Sequence, residues 1–291
     1  MNQPPAAKPQ TWHYRKRRAA NSLFWLFASL ATIIALIPLG LLLSYVVARG
    51  LPGLNPAFFT RLPAPVGEAG GGMLNAIIGT LVLVGLASLV GLPFGIIGGI
   101  YLAEFGNNRF GSSVRFAADV LNGVPSIVIG SFIYTIVVLQ THQFSALAGG
   151  LALGMIMIPT VMRTTEELVR LVPLSQREAS LSLGASQSRT ILQIVLLSAK
   201  AGVITGALLA IARIAGEAAP LLVTSPGSML FSTSLNQPIA SLPVQIYLYA
   251  NAPYDEWNRQ AWAAALVLVM MVTIFSLAAR YATRGKFRIV R

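Results

Sequence analysis

Apolar residues in this chain gather into long blocks, and polar residues fill the stretches between them. The blocks run over Ser22–Val47, Met73–Tyr101, Phe116–Leu139, Ser145–Met162, Ala201–Val223 and Ala261–Arg280. Each is close to the roughly 20 residues that an α-helix needs to cross a bilayer. The pattern predicts an all-α polytopic membrane protein with about six transmembrane helices. The first block follows a basic cluster, Arg15-Lys16-Arg17-Arg18. It is too long for the apolar region of a signal peptide and lacks a clear small-residue cleavage site, so it is expected to be a retained helix. Pro93, Pro125 and Pro159 are expected to interrupt or end spans, which a bundle tolerates where neighbours satisfy the freed backbone groups. The expected organisation is a basic tail at 1–21, a first transmembrane helix at 22–48 and an external Gly/Pro-rich loop at 49–72. A transmembrane domain at 73–283 follows, with a polar loop at 163–200, and then a tail at 284–291.

Composition agrees with lipid as the solvent. Of 291 residues, 55% are hydrophobic and only 10% are charged, and the mean hydropathy is +0.70. A soluble domain carries roughly a quarter of its residues as charges. There is no cysteine, which removes disulfides and thiolate chemistry. The two histidines, His13 and His142, lie far apart in the chain and disfavour a metal cluster.

The net charge of +12 would suit nucleic acid, but its placement does not. All but four of the 21 Lys and Arg fall on the side that carries both termini of a six-span chain; the exceptions are Arg49, Arg61, Arg259 and Arg213. The positive-inside bias then puts both termini in the cytoplasm. Charge spread over short loops also argues against nucleic acid as a partner. No G-x-x-x-x-G-K-[ST] phosphate loop, Ser/His/Asp grouping or metal spacing is present, so no enzyme activity and no cofactor are expected on this chain. Uphill transport would draw on a separate ATPase or an ion gradient.

Two segments carry chemistry. Between the fourth and fifth blocks, the amphipathic stretch from Thr165 to Val172 is stopped by Pro173. Ser175 and Glu178 follow at capping-box spacing, which predicts a short helix that Gly184 would end. A solvated pair of helices would explain this loop as well as a docking surface would. Within the fifth block, Arg213 and Glu217 stand four residues apart, the spacing of helix neighbours. A charge at this depth costs about 2.5–3.5 kcal/mol and usually faces a cavity or a partner. One reading is an intrahelical ion pair that lets the helix insert. The other is that Arg213 lines a path and offers its planar fork to an oxyanion, with Glu217 holding it between cycles. Arg115 and Asp119 are expected to form an interfacial pair. Trp257 and Trp262 are expected to be interface anchors, and Tyr247, Tyr249 and Tyr254 could support them or form a lid. A secondary transporter or channel using Arg213, Glu217 and Asp119 as a relay is the rival class; no internal repeat is visible, and it has no use for a docking loop.

Glu178-Ala179-Ser180, three residues, Gly184, nine residues, then Ile194-x-Leu196 resembles the "EAA" loop of the permease subunits of bacterial ABC importers. That pattern reads E-A-A-x3-G-x9-I-x-L-P; this chain departs from it at Ser180 and Leu197. Further blocks are Gly99 to Glu104, Pro125 to Gly130, Ile158 to Glu166 and Ala210 to Leu222. Together they resemble the phosphate-transport branch of that family, from about Gly72 to the C-terminus. The resemblance implies type I ABC importer permease architecture, with Glu178, Ala179, Ser180 and Gly184 in a helix that docks on an ATPase. It also implies Arg213, Glu217 and Arg163 in the substrate pathway. A second, related permease subunit, two ATPase subunits that bind ATP and Mg, and an external phosphate-binding protein are the implied partners.

Overall fold

Pro125 lacks the N–H that would continue a helix and biases the residue before it towards extended backbone. Val124 accordingly has φ −72 and ψ 132, and the chain turns by 104° there. That bend is the principal departure from a row of straight spans. The computed structural model describes residues 11–66, 68 and 70–284; the outer parts of both expected tails, 1–10 and 285–291, lie outside the described residues. The chain divides into two units, 1–48 and 49–291. Helix α1 (Thr11–Gly50) makes up the first and carries Pro38 within it. Its large apolar side chains, Phe24, Trp25 and Leu41 among them, are exposed, as a lipid-facing helix requires.

The second unit begins with a 3-10 turn at Leu51–Gly53 and α2 (Pro56–Thr60), capped by Asn55, whose side chain accepts from the Phe58 amide at 2.8 Å. Helix α3 (Leu74–Glu104) is followed by α4 (Arg109–Gly123) and α5 (Ser126–Ile133). A π-helical turn at Tyr134–Val138 carries α5 into α6 (Leu139–Thr141). Then come α7 (Ala146–Arg170), α8 (Leu174–Ser182) and α9 (Gln187–Thr190). A second π-helical turn, Ile191–Val195, leads into α10 (Leu196–Ala215). The chain closes with α11 (Ala219–Thr224), α12 (Leu242–Ala250) and α13 (Asp255–Arg284). Among the described residues five helices are long and apolar enough to cross a membrane, or six if the pair bent at Pro125 counts as one.

Helices α3 and α7 form the centre of this unit. Lipid tails supply no hydrophobic drive between helices, so close backbone packing through small residues takes its place. A Cβ on Gly95 would lie 2.6 Å from that of Val161, and one on Gly99 would lie 2.5 Å from the Met162 carbonyl oxygen and 3.0 Å from the Glu166 amide. Leu83, Ala87, Leu153, Met157 and Val161 fill this seam, and Ile214 of α10 and Leu221 of α11 close over it. Gly99→Ala is therefore expected to destabilise by about 1–3 kcal/mol, because the obstacle is backbone rather than a movable side chain. The drop in thermal unfolding midpoint of the detergent-purified protein measures it.

Several expectations need correction. The third block is not one span over Phe116–Leu139 but the bent pair α4 and α5. Of the three prolines, only Pro125 breaks a helix; Pro93 and Pro159 sit inside α3 and α7. The fourth span runs two turns past Met162, to Arg170. The fifth starts before Ala201 and stops at Ala215 rather than Val223. No capping box forms at Ser175, because Pro173 occupies the N-cap and α8 already includes Leu174. Trp257 stacks on Tyr249 at 4.3 Å and Tyr254 meets it edge-on, so Tyr249 is packed core, while Tyr247 and Tyr254 are exposed.

Candidate functional site

Helix α8 is built as an exposed platform. Glu178, Ala179 and Leu181 face outward, and Leu183 just beyond the helix is 88% exposed. Gly184, at φ +81, ends the helix as the sequence predicts. Its amide donates to the Leu181 carbonyl at 2.9 Å and that of Ala185 to the Ser180 carbonyl at 3.3 Å. This is the paired reversal that only a left-handed residue, usually glycine, makes without strain. Ser180, where the importer pattern has alanine, turns inward and hydrogen-bonds through its hydroxyl to buried Thr190 at 2.8 Å. Its hydroxyl thus fixes α8 against the turn into α10.

Behind this platform lies a group of charges whose centre, Glu166, sequence reasoning did not single out. Glu166 of α7 is 2% exposed and meets three arginines: Arg115 Nε at 2.6 Å, Arg163 at 2.7 Å and Arg170 at 2.9 Å. A buried carboxylate is tolerable only when paired and hydrogen-bonded, and here both oxygens are engaged. Arg115 also donates to the carbonyls of Leu102 and Gly106, both at 2.9 Å, at the C-terminal end of α3. Arg163 bridges Glu166 and Asp119 of α4, the latter at 3.0 Å. The expected pairing of Arg115 with Asp119 is thus replaced, each taking a partner on α7. The available signal was spacing: Thr160, Arg163, Glu166 and Arg170 recur every three or four residues and so share one face.

Arg213 lies in the last turn of α10. One guanidinium nitrogen donates to the Thr160 hydroxyl at 3.3 Å, and that hydroxyl donates to Asn122 of α4 at 3.1 Å. Arg213 therefore meets α7 about one turn from Arg163, at the head of a polar ladder that continues through Arg163 and Asp119 to Glu166. Of the two readings the sequence left open for Arg213 and Glu217, the resting ion pair does not form. Gly216 ends α10, its amide and that of Glu217 folding back on the carbonyls of Arg213 and Ile214, so the four-residue helical relation is lost. Glu217 instead lines a small recess with Thr80, Leu153, Ile214 and Ser241. Arg213 has only neutral oxygen as a partner among the described residues, and its side of the helix is exposed. A guanidinium so placed retains donors and charge for an anion. Among the described residues no group of three His, Asp or Glu could hold a metal ion.

Long apolar helices, a polar ladder between them and an exposed amphipathic helix at one end define a multi-pass membrane protein of the transport class. Residues 95–287 match the family described as binding-protein-dependent transport system inner membrane component, and the chain belongs to that family. It is 44% identical over 275 residues to the phosphate transport system permease protein PstA of Yersinia pestis, spanning 94% of this chain and 92% of that one. It is 33% identical over 278 residues to a probable PstA of Methanocaldococcus jannaschii, spanning 95% and 98%. Among solved structures, a chain of a bacterial alginate ABC transporter superposes with a TM-score of 0.66 at 15% identity, covering 95% of this chain and all of that one. A chain of the inward-facing MetNI methionine ABC transporter gives 0.63 at 16%, covering 74% and 96%. These likenesses fix the fold as that of ABC importer permeases.

Proposed function

We propose that this chain is the membrane permease subunit of an ATP-driven importer, that inorganic phosphate is the ion it moves, and that Arg213 is the residue that meets it. The observation that carries this reading is Arg213 itself: an arginine in the last turn of a helix long and apolar enough to cross a membrane, unpaired with any carboxylate among the described residues, at the head of a polar ladder. Relatives at 33–44% identity that bear the name phosphate transport system permease protein supply the choice of phosphate over other oxyanions. Arg163 belongs to the path as its second cation, held ready by Glu166 and Asp119. Glu217, away from Arg213, shapes the recess beside α11 rather than neutralising the arginine.

In this reading the platform around Glu178, Ala179, Ser180 and Gly184 sits in a cleft of a separate ATPase, which binds ATP and Mg. A second, related permease completes the pore, two ATPase copies drive it, and an external phosphate-binding protein delivers the ion. The chain lies in the cytoplasmic (inner) membrane with both termini inside, because the basic residues and the platform share that side. The test is phosphate uptake into proteoliposomes holding the reconstituted complex. Uptake is expected to require ATP and the ATPase; uptake by this chain without the ATPase would instead favour a stand-alone carrier. Uptake of a different oxyanion, undiminished by excess phosphate, would keep the importer and change its ion. Glu178→Lys is expected to weaken ATPase co-purification by about tenfold or more, the equivalent of about 1.4 kcal/mol. Undiminished assembly with normal coupling would remove Glu178 from the contact.

A further inference from the structure

Helix α8 presents one charged side chain inward. Arg177 is 17% exposed and its guanidinium pairs with the carboxylate of Glu104, 8% exposed, in the last residue of α3. A second guanidinium nitrogen donates to the Val169 carbonyl at 2.9 Å, in the final turn of α7. One side chain therefore ties the platform to the ends of both central helices. The platform's other side-chain ties run towards α10 and are neutral: Ser180 to Thr190 at 2.8 Å, and Ser198 to Gln176 at 3.2 Å. Hydrogen bonds to a charged group are about twice as strong as neutral ones. A buried ion pair also resists separation, because parting it leaves a desolvated charge.

What lies beyond Glu104 matters as much as the pair. The glycines at 91, 95 and 99 bring α3 against Met157, Val161 and the Met162 backbone with no room for a side chain. The end of α3 is further tied by Arg115 and Arg170, both donating to the Leu102 carbonyl, at 2.9 and 3.3 Å. Close-packed interfaces of this kind shift between discrete arrangements rather than deforming smoothly. Helices α3 and α7 thus move as one block, and that block carries Thr160, Arg163 and Glu166.

From this geometry we infer that the Arg177–Glu104 pair is the transmission joint of the transporter, the link through which displacement of α8 moves the α3–α7 block and its ladder of polar groups. The inference rests on the reading of α8 as an ATPase-docking element. Both residues are positioning residues; neither touches the transported ion. A purely structural pair would, when broken, reduce hydrolysis and transport together. A joint, when broken, leaves the ATPase bound and turning over while transport per ATP falls.

The chain contains no cysteine, so an introduced one is the sole thiol on this subunit and can be labelled before the complex is assembled. Ile97, 67% exposed on α3 and away from the ladder, is a suitable position for a fluorophore as Ile97→Cys. In the complete reconstituted complex, ATP should change the Ile97→Cys signal, and Glu104→Gln or Arg177→Gln should abolish that change with ATPase content unaltered. Phosphate moved per ATP hydrolysed should fall by about fivefold or more, the lower end of ordinary coupling between sites. The exchanged pair, Glu104→Arg with Arg177→Glu, should restore both readouts. The inference is overturned if the signal persists in both single variants, if uptake and hydrolysis fall in step with lost ATPase, or if ATP produces no signal in the otherwise wild-type complex. A complex that gives the ATP-driven signal but takes up no phosphate leaves the joint standing and refutes the choice of ion.

Discussion

Replacing Arg213 with alanine is expected to reduce phosphate uptake by about 30-fold or more while leaving assembly with the ATPase intact. Truncating one side of a desolvated charge contact costs about 2–5 kcal/mol, and each 1.4 kcal/mol is a factor of about ten. The structure makes Arg213 a clean position for this experiment. Its contact within the protein is a 3.3 Å hydrogen bond to a neutral hydroxyl on an exposed face, so alanine strands no buried carboxylate. Arg213→Lys separates charge from geometry, since lysine keeps the charge but loses the bidentate fork. Its uptake should fall between wild type and alanine. Unchanged uptake in Arg213→Ala, measured in proteoliposomes with ATPase content matched, would take Arg213 out of the path.

Glu166→Ala is expected to act on stability instead. Removing one member of a buried ion-pair group costs about 3–5 kcal/mol, because the remaining charges stay desolvated. Three arginines lose their shared carboxylate here, although Arg170 is half exposed and water will cover part of its loss. The low end of that range is the expected result. Arg115 is the most consequential of the three, because it alone joins α4 to both α7 and the end of α3. A lower unfolding midpoint in detergent should therefore come with faster trypsin cleavage at α4, and Glu166→Gln should show a smaller loss. A midpoint unchanged in Glu166→Ala would mean that the arginines find water as readily as they found the carboxylate.

The contrast between these two residues shows where sequence reading stopped. Hydropathy located the spans because it depends on composition over a window, and lipid selects composition. It joined Phe116 to Leu139 because Pro125 changes direction, not hydropathy. Spacing put Arg213 and Glu217 on one face, correctly for an unbroken helix. Gly216 breaks that helix, a local event that spacing cannot register. Arg163 and Arg170 are helix neighbours of Glu166 and were open to spacing, but its third partner and the partner of Glu104 were hidden for a different reason. Arg115 lies 51 residues from Glu166, and Arg177 lies 73 from Glu104, so only the close approach of α3, α4, α7 and α8 brings them together. The platform was legible in outline, down to the left-handed Gly184, because helix ends are local. The contact made by Ser180 was not, since its partner Thr190 belongs to the next helix.

The turn at Pro125 has a consequence for the surrounding lipid. Past the bend, the run from Ser126 to Thr141 can reach only about 24 Å at 1.5 Å per residue. The hydrocarbon layer is about 30 Å thick. Where this short run meets lipid, the membrane must thin or the protein's own flanks must fill the shortfall, at a fraction of a kcal/mol per Å. Helix α3, with its 31 residues, has ample length for the same crossing. Two walls of one permease thus ask for different depths of oil, and the shorter one sets where the surrounding bilayer has to give.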